Sequence, residues 1–94
     1  MLALAMLPGC GQRYSNASDS ACNIAVALVS AASSRKLSTV ERVETVIDRE
    51  RASGQITATE AEFLHRIAAH CRDGAWDEAN REARAVIAAQ WRAK

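Results

Sequence analysis

An all-α fold, a small antiparallel bundle of three main helices plus an Ala-rich N-terminal helix, is what this sequence predicts, and three observations lead there. Alanine dominates an apolar set that makes up 49% of the chain, while aromatic residues make up only 4%. Alanine-rich segments with few β-branched runs favour helix over sheet. Apolar residues then recur at three- and four-residue spacing. Finally, glycines stand where these patterns stop, and Ser/Thr-x-x-Glu start signals stand where two of them begin.

The chain has 94 residues, enough for one small domain. Its net charge is +1. No basic footprint for nucleic acid stands out. Charge is unevenly spread. Residues 1–38 hold only Arg13, Asp19, Arg35 and Lys36, whereas residues 39–94 carry nine basic and ten acidic groups. Three regions follow: 1–10 as a signal-like segment, 11–19 as a polar tether, and 20–94 as the helical domain.

The first helix, Ala-rich, is expected over about 20–33. Cys22, Ala25, Val26, Val29 and Ala32 can share one face, widened by Ile24 and Leu28. Asp19 or Ser18 can cap it, and Ser33-Ser34-Arg35-Lys36 ends it. Ser38-Thr39-Val40-Glu41 reads as a capping box opening a helix over about 39–53, whose apolar stripe is Val40, Val43, Val46 and Ile47. Gly54 supplies the left-handed position that closes many helices. Thr57-Ala58-Thr59-Glu60 is a second capping box, for a helix over about 58–72 that buries Ala61, Phe63, Leu64, Ile67, Ala68 and Cys71. Gly74 stops that helix. The last runs over about 76–91 with Trp76, Ala79, Ala83, Val86, Ile87 and Trp91 inward, and Asp77 and Glu78 suit its positive end. Short glycine-containing connections imply antiparallel neighbours. Ile56 can fasten the Gly54–Glu60 turn to the core.

The N-terminus carries an address. Leu7-Pro8-Gly9-Cys10, after the apolar run Leu2–Leu7, resembles the lipobox of bacterial lipoproteins. The resemblance implies cleavage before Cys10, acylation of that residue with fatty chains such as palmitate, and a membrane anchor facing the periplasm. Acyl chains buried in a bilayer supply affinity that a short peptide cannot. The other reading of Met1–Cys10 is an apolar segment that packs on the fold of a cytoplasmic protein. The run Ala21–Ala32 is too short to span a bilayer, which takes about 20 apolar residues.

With Cys10 lipidated, Cys22 and Cys71 remain as an even pair. In an oxidising compartment they can close a loop of about 50 residues, for roughly 4 kcal/mol on the loop-entropy account. The alternative is two small buried hydrophobes. No Cys-x-x-Cys occurs, so neither a redox motif nor a zinc site is indicated.

Chemistry is sparse elsewhere. Gly54-x-Ile56-x-x-x-Glu60 is similar to the second half of an EF-hand loop, but that register puts Arg49 and Arg51 where carboxylates should bind calcium. His65 and His70 are five apart and do not share a helix face at ligand spacing, so a metal site would need them to converge with Cys71 and Glu62. No nucleophile motif and no phosphate loop is present. The Gly54–Glu60 hairpin also resembles that of short bacterial oligomerisation domains. Val43–Trp91 resembles the helical-bundle domain of the steroid receptor RNA activator protein family, and Gly74–Ala79 looks like the opening of a tetratricopeptide helix. These resemblances imply helical packing and carry over no functional residue.

The expected function is therefore a non-catalytic structural or protein-interaction module at the cell envelope, with neither catalytic residues nor cofactor nor metal and no nucleic-acid partner. The alternatives are a cytoplasmic or phage- or operon-associated oligomerisation module that pairs with copies of itself, and a metal-binding helical protein.

Overall fold

The computed structural model describes residues 17–93, with side chains described as far as Gln90. The expectations for Cys10, for the signal-like segment, for most of the tether and for the Trp91 side chain lie outside that range. Four helices fill it: α1 Asp19–Ser34, α2 Leu37–Ala52, α3 Ala58–Arg72 and α4 Trp76–Ala93. No strand occurs among the described residues. The chain is all-α.

The side-chain contacts fix the helix directions. Asn80 near the start of α4 donates to Ser33 at the end of α1 (3.0 Å), and Gln90 donates to Asp19 at the other end, so α1 and α4 run antiparallel. Arg72 at the end of α3 reaches Glu44 early in α2, which sets those two antiparallel as well. Ser18 and Glu60 bring the starts of α1 and α3 together. The Ala-rich first helix is thus a full partner in the bundle, packing on α4 more extensively than any other pair of helices packs. Its alanines permit that close approach.

Two helices end on the same glycine device. After α2, Gly54 at φ +82° lets Gly54 N–H donate to the Arg51 carbonyl (3.2 Å) and Gln55 N–H to the Glu50 carbonyl (2.9 Å). After α3, Gly74 at φ +81° does the same toward Cys71 (3.0 Å) and His70 (2.8 Å). This paired closure satisfies carbonyls that have no partner within the helix. Arg35 takes the equivalent left-handed place after α1, at φ 56°, with Lys36 N–H donating to the Ala31 carbonyl at 3.3 Å.

That tight reversal corrects the expected Ser38–Glu41 capping box. A single residue, Lys36, separates Arg35 from α2, so the helix begins at Leu37 rather than near Thr39. Ser38 falls inside the first turn, and the cap residue, Lys36, makes no side-chain cap bond. The Ser38–Glu41 box does not form.

The core is built of Leu28, Val40, Ile47, Leu64, Ile67, Cys71 and Val86, all fully buried, around a floor of alanines. Every apolar residue expected inward on α3 is buried there, and Ile56 fastens the α2–α3 turn at 3% exposure. On α1, Cys22, Ile24, Ala25, Leu28 and Ala32 are buried as expected, and Ala21 and Ala31 join them. Val29 is half-buried against the core, and Val26, expected inside, is 51% exposed. On α4 the small residues Ala79, Ala83, Val86 and Ala89 are buried, and Trp76 and Ile87 are half-buried beside them.

Candidate functional site

The most elaborate polar arrangement is centred on Glu60, the one buried charged or polar residue among those described. Thr57 opens α3 as expected: its hydroxyl accepts from Glu60 N–H (3.0 Å), and Glu60 Oε1 accepts from Thr57 N–H (2.9 Å). The carboxylate does more than close this box. Its Oε2 accepts from Ser18 N–H (2.8 Å), and its Oε1 also accepts from the Ser18 hydroxyl (3.2 Å). Ser18 in turn caps α1, its Oγ accepting from Ala21 N–H at 3.1 Å. One carboxylate therefore clasps the positive ends of two helices, where negative charge is stabilised. It offers no calcium site, because both its oxygens are taken by protein donors and Arg49 and Arg51 flank the turn as expected.

The histidines stand on opposite flanks of α3. His65 Nε2 lies 2.8 Å from Asp48 and its Nδ1 3.5 Å from Glu44, both on α2. His70 Nε2 lies 3.6 Å from Glu82 on α4. Glu62 is exposed beside Thr59, Phe63 and Arg66. Among the described residues no three His, Cys, Asp or Glu side chains are placed to hold a metal ion. The residues a metal site would need do not converge.

Glu44 is the hub of the α2–α3 flank. It accepts from Arg72 Nε at 2.9 Å and from Arg72 Nη2, and this bond holds the guanidinium above its ordinary value, with the charge of Glu44 adding to it. These are exposed pairs, each contributing little to stability. Beneath them, Cys71 is fully buried, and burial, with Glu44 as a lesser cause, pushes its thiol up. Cys22 is buried in α1. The two cysteines are not joined in a disulfide.

An interaction surface is the remaining candidate, and α1 supplies it. From Ser20 to Ser34 the helix has no charged residue, and its outward positions are Asn23, Val26, Ser30, Ser33 and Ser34. The other helices carry charge among their outward positions, Glu41, Arg42, Asp48, Arg49 and Arg51 on α2, Glu62 and Arg66 on α3, Asp77, Arg81 and Arg84 on α4, although α2 also exposes Leu37, Ser38 and Thr45. Beside this face, α1 and α2 leave a groove of about 180 Å³ floored by Ile24, Ala27, Val43 and Val46, with Ser20, Asn23 and Glu50 at its rim. Small-molecule sites enclose about 300–1,000 Å³. The groove falls below that range. Sequence periodicity places Val26 inside and so misses its exposed position on the outer face of α1.

No helix among the described residues is long and apolar enough to cross a membrane. Compared with protein-family models, curated proteins and solved structures, the chain finds no match in any of the three.

Proposed function

We propose that this chain is a small non-catalytic helical module of the bacterial cell envelope, anchored through acylated Cys10 and facing the periplasm, where it engages a protein. The observation that carries the reading is the Leu7-Pro8-Gly9-Cys10 motif followed by a polar stretch. Residues 11–17 separate Cys10 from the Ser18 cap. Extended at about 3.3–3.6 Å per residue, that segment reaches roughly 25 Å, long enough to hold a bundle clear of lipid headgroups. The interaction role is supported by the uncharged outer face of α1, since loss of charge distinguishes the centres of protein interfaces from ordinary surface.

Metabolic labelling with a palmitate analogue in a bacterial host tests the anchor. The chain takes up label, and Cys10→Ser abolishes both label and membrane association. Labelling that survives Cys10→Ser would overturn the assignment.

A second reading is a cytoplasmic oligomerisation module in which Met1–Cys10 is part of the fold rather than an address. A soluble chain whose three cysteines all react with a thiol reagent on unfolding would favour it.

A further inference from the structure

We draw no further inference here: the strongest candidate, the uncharged outer face of α1 around the exposed Val26 with the adjoining groove between α1 and α2, belongs to the surface already described, and nothing in the structure shows what covers it.

Discussion

Glutamine in place of Glu60 keeps the shape of the clasp and removes its charge. The carboxylate accepts from Thr57 N–H and the Ser18 hydroxyl on one oxygen and from Ser18 N–H on the other. An amide has only one oxygen. If that oxygen faces Thr57, the amide NH2 meets the Ser18 N–H, donor against donor. A hydrogen bond to a charged group contributes about 1.5–3 kcal/mol, and leaving a buried donor unsatisfied costs a similar amount. Ser18 is only half-buried, so water can relieve part of the loss. Glu60→Gln is therefore expected to cost about 2 kcal/mol. In a domain of this size that lowers Tm by roughly 8–16 °C. Ser18→Ala, which loses the α1 cap and one donor to Glu60, is expected to cost about 1 kcal/mol. Because the two residues share the clasp, the double variant should cost less than the sum of the single ones. The assay is thermal and urea unfolding followed by far-ultraviolet circular dichroism. A Glu60→Gln protein melting within about 2 °C of the parent would refute the clasp as a stabilising element.

Three further outcomes follow from the local geometry. Thr57→Ala should cost about 1–2 kcal/mol and Ser38→Ala less than about 0.5 kcal/mol in urea unfolding, because only the first serves as a cap. Arg35→Gly should stabilise the bundle by about 0.5–1 kcal/mol by relieving the left-handed backbone. Gly54→Val should destabilise it by about 1 kcal/mol or more through backbone strain alone, since a Cβ there meets nothing within 4 Å. The raised Cys71 thiol sets an alkaline trend with a definite sign. The folded chain keeps its proton where the unfolded chain has released it, so this contribution is complete below the ordinary value of 9.0 and is lost as pH rises toward the higher folded value. Urea midpoints should fall as pH rises through 9.0, and Cys71→Ala should flatten that slope.

Legibility in the sequence tracked the locality of the cause. The limits of α3, Ala58–Arg72, coincide with the expected span because Thr57, Glu60 and Gly74 mark both ends within a few residues. The turn before α2 was misread because Ser38–Glu41 has the letters of a capping box, yet Arg35 closes α1 so tightly that Ser38 already lies within the next helix. On α1 it is Val26 that departs from the expected inward face, for a different reason. With no charged residue after Asp19, the helix has no wet side in its sequence, and which residues it buries is decided by α2, α3 and α4. The second role of Glu60 could not be read at all, since Ser18 is 42 residues away and nothing local marks the pairing.

The functional account depends on what becomes of Cys10, and the intact mass of the protein purified from bacterial membranes measures that directly. The account requires a chain that has lost Met1–Gly9 and begins at a cysteine carrying the mass of its acyl chains. A chain that retains Met1 with an unmodified Cys10 would contradict it.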